Sequence, residues 1–530
     1  MNSSTTNMAD SDLNKENLTR VGLMAAFAIY LVLVVATVLT RAPINDEGWY
    51  GQPAFQLAAG KTMGTPALEN TGIPRFQGVQ THTYWIMPLF MVAQAGMYKL
   101  TGSGLVQMRL LSGLCGLVFV VSWYLIIRSL LRDRSVATLA VIFLALDFQI
   151  IMVCATGRSD AMCAALGAAG LAVYLTQRNR SLAWTMLFSH CLIVASGLTH
   201  PYGFYYFVAL LYLTFCLDRR SLTWRNVALA LIPYVIGAAL WGSYILKAPA
   251  DFLAQFGNNA SERSWVLKHP AQALVRELGR YQAAYGLSLA APGARRLEIV
   301  VLLAYLAGVI GVLVTRSLRQ NPGLRPLLVL SGLFFLELTF LEGAKQPWYL
   351  IHLIPWLAAS LAVFAIHYWK VSSQSMRVLL ATGIAGMLMV NTAVTVGMSL
   401  RDGYHAHYVR VVEFLQQGAP EQVKVMGGTE LGFGLGFDNV KDDYKLGFYS
   451  GWRPARIVIS ESYRAQFDLF RQRRPELWRY VQHRLTDEYV KIFDDGYYAV
   501  YTVQQTPTAW VRPVKMLAAG LTAASGGQIK

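Results

Sequence analysis

The chain has 530 residues, of which 55% are hydrophobic and only 14% charged, and its formal net charge is +16. Soluble domains carry about 25% charged residues, whereas here the apolar residues fall in runs long enough to cross a hydrocarbon core of about 30 Å. Composition therefore excludes a soluble globular protein and points to a polytopic α-helical membrane protein. The basic residues sit in short tracts between the apolar runs, as topology signals do, which argues against nucleic-acid binding.

Residues 1–20 are polar and read as a cytoplasmic tail. The first apolar run, 21–40, is long for a signal-peptide core and has no small-x-small cleavage site behind it, so it reads as an uncleaved span. Further runs at 105–127, 135–153, 161–177, 182–198, 202–217, 226–246, 297–315, 326–341, 348–367 and 376–398 bring the expected total to about eleven spans.

The stretch 84–100 is apolar but amphipathic, with Gln94, Lys99 and an early Pro88. If it does not cross, and the N-terminus is cytoplasmic, the short inner loops hold the clusters at Arg128 to Arg134, Arg178 to Arg180, Arg219 to Arg225 and Arg316 to Arg325. The short outer loops then hold only Arg158 and Lys345. Making it a span reverses that bias, so it is expected to lie at the outer interface as a juxtamembrane helix. Arg295 and Arg296, just before an inward-running span, are the exception to the pattern.

This topology places segments 41–104, 247–296 and the region from 401 onward outside. The region 401–515 is charged, with short apolar strands at 423–426, 457–459 and 497–503 and helix-like stretches at 408–417 and 463–473. It reads as a small extracytoplasmic α/β domain. The Gly/Ala/Ser-rich tail, 516–530, reads as disordered. The glycine-rich segment 427–434 lacks the spacing of a nucleotide fingerprint and a P-loop lysine, and reads as a loop.

Four outer clusters carry residues suited to chemistry. Asp46 and Glu47 follow the first span directly, where a carboxylate can act as a general base or simply suit the start of a helix. Arg158 and Asp160 can hold a phosphate or orient a base, or form a local ion pair. His200 stands at a helix boundary, where it is either a site residue or a satisfied cap. Lys345 and Tyr349 can meet a lipid phosphate or act as interfacial anchors. Asp147 and Glu337 lie within the outer halves of spans. Carboxylates are costly there and normally line a cavity, although pairing between helices is the alternative. The five cysteines, Cys115, Cys154, Cys163, Cys191 and Cys216, form no CxxC pair and no zinc spacing. No metal and no cofactor is expected.

In order, the segments NDEGWYGQPAFQLAAGK, THTYWIMPLFMVAQAGMYKLTG, VQMRLLSGL, RSDA, GLTHPYGFYYF and KQPWYLIHLIPWLA resemble the GT-C membrane glycosyltransferases, in the branch of the protein O-mannosyltransferases and lipid A aminoarabinose transferases. The resemblance covers about residues 20–400. It implies a GT-C-like transmembrane catalytic domain over 21–400 and a polyprenyl-phosphate-linked sugar as donor. It also implies an acidic residue in the first outer loop that activates the acceptor: Asp46 matches it, with Glu47 at the neighbouring acidic position. Arg158 and Asp160 fall at the family's polar pair, and Lys345 and Tyr349 at its lysine-to-tyrosine stretch near the donor phosphate. The chain departs from relatives in having His82-Thr83-Tyr84 where many have Lys-Pro-Pro or His-Pro-Pro, and Thr199-His200-Pro201 where many have Lys-Gly. The expectation is an inverting transfer to an acceptor hydroxyl at the outer face of a bacterial inner membrane. The rivals are a secondary transporter, which should show repeats and broken helices, and a non-enzymatic membrane scaffold.

Overall fold

The computed structural model describes the backbone of residues 3–286, 293–417 and 424–504, and the side chains of these stretches except 3–19 and 293–295. The expected tail 516–530 and the end of the expected C-terminal domain lie outside the described residues. The helices that build the molecule are α1 (Ser3–Thr40), α2 (Asn45–Ala58), α3 (Pro88–Thr101), α4 (Leu105–Leu131), α5 (Arg134–Leu146), α6 (Phe148–Cys154), α7 (Ser159–Gln177), α8 (Leu182–Thr199), α9 (Gly203–Asp218) and α10 (Trp224–Ile245). They continue as α11 (Pro270–Ala284), α12 (Ile299–Val314), α13 (Arg325–Leu341), α14 (Ile354–Val371), α15 (Gln374–Leu400), α16 (Arg410–Gln417), α17 (Glu461–Arg473) and α18 (Pro475–His483).

Among the described residues nine helices are long and apolar enough to cross a membrane, and α5 with α6, bent by 63°, makes a tenth. The remaining expected span, α9, is a shorter apolar helix of 16 residues. The protein is thus an integral membrane protein. Large apolar side chains such as Val235, Leu240, Leu303 and Leu379 remain exposed on the outer surface of the bundle. Trp123 and Trp356 meet edge-to-face at 4.6 Å in its interior, both fully buried.

The break between α5 and α6 has a chemical cause. Asp147 caps α6, accepting the N–H groups of Gln149 at 2.9 Å and Ile150 at 3.1 Å, and the hydroxyl of Tyr305 at 2.9 Å. A carboxylate there satisfies the orphan donors of a helix start. Asp147 therefore corrects the expectation that it lines an outer cavity: it is a buried cap. Glu337 is also buried, and it too lies off the cavity lined by Asp46 and Arg158.

The stretch 84–100 forms α3, whose 14 residues span only about 21 Å. It starts on Pro88 and buries Phe90, Met91, Ala95 and Tyr98, while Val92 and Leu100 stay exposed. This amphipathic pattern is that of a helix lying along the surface of the bundle.

The C-terminal region forms a five-stranded sheet in the order β2-β1-β3-β5-β4. The strands are β1 (Val425–Met426), β2 (Val440–Lys441), β3 (Arg456–Ile459), β4 (Tyr489–Asp494) and β5 (Ala499–Val503). β1 runs parallel to β2 and β3, and β5 runs antiparallel to β3 and β4. The strands β2 and β4 were not legible in the sequence. The glycine-rich segment is not an open loop but two short helical turns, Thr429–Leu431 and Gly432–Leu435. Residue 68 forms a parallel bridge with residue 442, and Lys441 pairs with Glu69 at 3.3 Å. Segment 41–104 is thereby stitched to the sheet. Gly48 is needed at this seam, because a Cβ there would stand 2.3 Å from the carbonyl carbon of Thr429.

Candidate active site

The site begins at the corner between α1 and α2. Arg109, in the first turns of α4, is fully buried and spends its guanidinium on that corner. It donates to both oxygens of Glu47 at 2.7 Å, and to the carbonyls of Val38, Arg41 and Ala42 at 2.9, 2.7 and 3.3 Å. These carbonyls end α1 and have no partner inside the helix. Glu47 also accepts the N–H of Gly157 at 2.8 Å and the N–H of Ile44 at 3.0 Å. Burial alone would raise its pKa, but Arg109 and the Gly157 N–H outweigh that and hold it below the usual carboxylate range. Glu47 thus corrects the expectation of a catalytic acid beside Asp46. It is completely buried, faces away from the cavity and fastens three chain segments together.

With Glu47 turned inward, Asp46 turns outward into a cavity of about 530 Å³. Its carboxylate forms an ion pair with Arg158, which also pairs with Asp160 at 2.8 Å. Asp160 is fully buried behind Arg158 and does not line the cavity. The guanidinium of Arg158 lies 5.3 Å from the ring centre of Trp348, and that of Arg41 lies 5.4 Å from the same ring, in the range of cation–π contacts.

His200 and Tyr349 complete the expected set that meets here. His200 lies 4.3 Å from the ring of Tyr202 and 5.6 Å from Tyr349, centre to centre. Burial pushes its pKa down to about 4, against the pull of Asp160, so the imidazole is neutral near pH 7. Burial raises the Tyr349 phenol above its ordinary value.

Lys345 also departs from the expectation that it meets the donor phosphate. It sits at a positive φ of 53°, which turns its side chain away from the cavity while Ala344 and Gln346 line it. Its ammonium donates to Glu277 at 2.9 Å and to the carbonyl of Thr339 at 2.5 Å. Glu277 and Glu342 also bracket the buried Arg280, at 2.8 and 2.9 Å. The four charges pin α11 against the end of α13.

The cation that reaches the cavity in place of Lys345 is Arg263, from segment 247–296. Burial would lower its pKa, but the phenols of Tyr349 and Tyr202 and the carboxylate of Glu342 raise it, so it stays charged. Among the described residues it has no carboxylate within ion-pair distance. The basic character of segment 247–296 was its only signal in the sequence. The rings of Trp49, Tyr50, Trp85 and Trp348, with the amides of Asn259 and Gln346, make up much of the remaining wall. Trp49 lies three residues beyond Asp46, the spacing that puts two side chains on one helix face. Among the described residues no group of three or more His, Cys, Asp or Glu side chains is placed to hold a metal ion.

This arrangement of helices and outer segments is shared with solved proteins. ArnT from Cupriavidus metallidurans bound to undecaprenyl phosphate matches over 90% of this chain and 97% of its own, at a TM-score of 0.56 and 15% identity. The chain has the GT-C fold. AglB, the oligosaccharyltransferase of the archaeon Archaeoglobus fulgidus, in complex with an inhibitory peptide and a dolichol-phosphate, matches this GT-C chain over 93% of its length and 75% of AglB's, at a TM-score of 0.51 and 12% identity. The family model described as dolichyl-phosphate-mannose-protein mannosyltransferase matches residues 83–241 of the GT-C region. No curated protein matches the chain in sequence.

Proposed function

We propose that the chain is a membrane glycosyltransferase that takes a sugar from a polyprenyl-phosphate donor and passes it, with inversion, to an acceptor hydroxyl at the outer face of a bacterial inner membrane. The observation that carries this reading is the Asp46–Arg158 pair in the wall of a cavity that also holds Arg263, Tyr349 and several tryptophan rings. A carboxylate offers a base, guanidiniums offer a phosphate site, and indole rings offer platforms for a sugar. The GT-C fold, the family model's description and the lipid phosphates bound by two similar proteins support it.

The acceptor O–H gives its proton to the Asp46 carboxylate as its oxygen bonds the anomeric carbon from the face opposite the phosphate. The bond from that carbon to the phosphate oxygen breaks, and polyprenyl phosphate leaves with the electron pair. Arg158 and Arg263 stabilise the charge that develops on it. The apolar wall, including Val266, Leu267 and Leu341, lets the polyprenyl chain run toward the bilayer. An incoming phosphate competes with Asp46 for Arg158, so that donor binding releases the carboxylate to act as a base. Glu47 and Asp160 act behind Asp46 and Arg158 as positioning residues.

The test uses the full chain in lipid nanodiscs with a synthetic polyprenyl-phosphate sugar. Asp46→Asn loses transfer by at least about 100-fold, the scale of a removed general base, and still binds donor. Transfer by Asp46→Asn at the wild-type rate refutes the reading. An envelope glycan profile that is identical with and without the protein counts equally against it.

A further inference from the structure

The wall beside Asp46 is not held by the membrane region alone. Trp49 lines the cavity, and its indole N–H donates to Oδ2 of Asp442 at 2.9 Å. Asp442 belongs to the edge of the C-terminal sheet and is almost wholly buried. The same oxygen accepts the hydroxyl of Thr429 at 2.7 Å, while Oδ1 accepts the hydroxyl of Tyr463 at 3.0 Å. On its other side the Trp49 ring meets Trp85 edge-to-face, with centroids 5.4 Å apart. The indole is thus fixed at two points, and its remaining surface faces the cavity next to the base.

A second contact brackets Asp46 from the other direction. Asn45 accepts the N–H of Thr429 at 2.8 Å and donates to the hydroxyl of Tyr444. Asn45 and Trp49, one residue before and three residues after Asp46, are therefore both held by the C-terminal domain. Of the side chains bonded to Asp442, Trp49 alone lines the cavity. A pure fastener between domains would not need that contact, because the backbone bonds of 67 and 69 to 442 already supply the attachment.

We infer that Asp442 is a positioning residue for sugar recognition: through the Trp49 N–H it sets the indole plane against which the C–H face of a pyranose packs beside Asp46. The C–H groups of a pyranose face are weakly positive and match the negative face of an indole ring, and the gain depends on the angle at which the ring is held. This inference rests on the glycosyltransferase reading. It assigns the C-terminal domain a share in forming the sugar site, which the reading itself leaves open.

The experiment compares wild type, Asp442→Leu, Asp442→Asn and Trp49→Phe, with steady-state transfer from the synthetic donor in nanodiscs. Asp442→Leu raises KM about tenfold and changes kcat by less than about twofold. Asp442→Asn keeps an oxygen acceptor and restores most of the loss. Trp49→Phe, which keeps a ring but has no N–H, matches Asp442→Leu, and adding Asp442→Leu to it raises KM no further. If Asp442→Leu fails to fold, Trp49→Phe and Asp442→Asn still decide. A KM for Trp49→Phe equal to wild type, or an Asp442→Leu penalty that persists in full in the Trp49→Phe background, overturns the inference and leaves the transferase reading intact. A wild-type chain that neither transfers nor binds the sugar-phosphate overturns both.

Discussion

Glu47 is hydrogen-bonded to the backbone of Gly157, one residue before Arg158, at 2.8 Å. The bond joins the first turn of α2 to the loop ahead of α7, so the residues next in sequence, Asp46 and Arg158, are delivered to the same wall. Two carboxylates adjacent in the chain thereby have opposite fates. One is consumed in holding the backbone, and the other is left to face the cavity.

Removing either partner of the Glu47–Arg109 pair leaves a buried charge uncompensated. Glu47→Gln and Arg109→Met are each expected to cost roughly 3–5 kcal/mol, read as a fall in thermal midpoint in detergent. Both should also lower transfer, because the Asp46 corner loosens. Asp46→Asn should leave the midpoint within a few degrees of wild type.

Arg263 carries charge into the cavity without a carboxylate partner among the described residues. Replacing Arg263 with Ala should weaken binding of the polyprenyl-phosphate donor by about 10–100-fold, the scale of a charge-assisted hydrogen bond. Binding measured by titration in nanodiscs checks this. An equal affinity for Arg263→Ala and wild type would falsify its role at the phosphate.

Lys345 should behave in the opposite way. Its ammonium is bonded to Glu277 and to backbone carbonyls, so Lys345→Met should leave donor affinity within about twofold of wild type. It should lower stability by roughly 1–3 kcal/mol, because it leaves a buried carboxylate and carbonyls short of a donor. Measuring affinity and thermal midpoint on one preparation separates the two effects.

Glu430 gives the seam between α2 and the C-terminal sheet a dependence on pH. Burial, reinforced by the nearby charges of Asp442 and Glu47, pushes its pKa up to about 8. The folded carboxyl therefore stays protonated between its ordinary value and about pH 8, while the unfolded one ionises. Its contribution to stability is fully present at low pH and declines as pH rises through that window. Glu430→Gln should gain thermal stability relative to wild type as the buffer goes from pH 5 to pH 8. A difference between the two proteins that stays constant with pH would rule this out.

Gly48 meets the Thr429 backbone so closely that a methyl group cannot fit without a shift. Gly48→Ala should cost about 1–3 kcal/mol, as overpacking does, and should increase proteolysis at the junction of the two domains. Limited digestion followed by mass spectrometry would show it.

Much of this architecture could be read from residue order. Apolar runs located the helices, because the bilayer imposes length rules that act locally, and the polar positions of 84–100 marked α3 as a short amphipathic helix. Asp46, Arg158, His200 and Tyr349 could be grouped because the expected topology puts their turns on one face, and all four line one cavity. The direction of a side chain within a turn was not legible. Glu47 and Lys345 sit in the right segments but are drawn off by Arg109 and Glu277, partners 62 and 68 residues away. Arg109 lies inside an expected span and Arg263 in a long loop segment, and no local pattern in the sequence singles either of them out. Asp147 and Glu337 were expected at a cavity because an intramembrane carboxylate calls for a partner. For Asp147 that partner is the start of a broken helix.

Trp49 and Asp442 are separated by 393 positions. A ribosome feeding this chain into the membrane releases the helix that carries Asp46 and Trp49 early and its clasp near the end. Until the last segment has folded, the indole keeps its contact with Trp85 but lacks its hydrogen bond, and the wall is unfinished. Among the described residues every helix apolar enough to cross a membrane begins before residue 442, so the contact that closes this wall is made last in chain order.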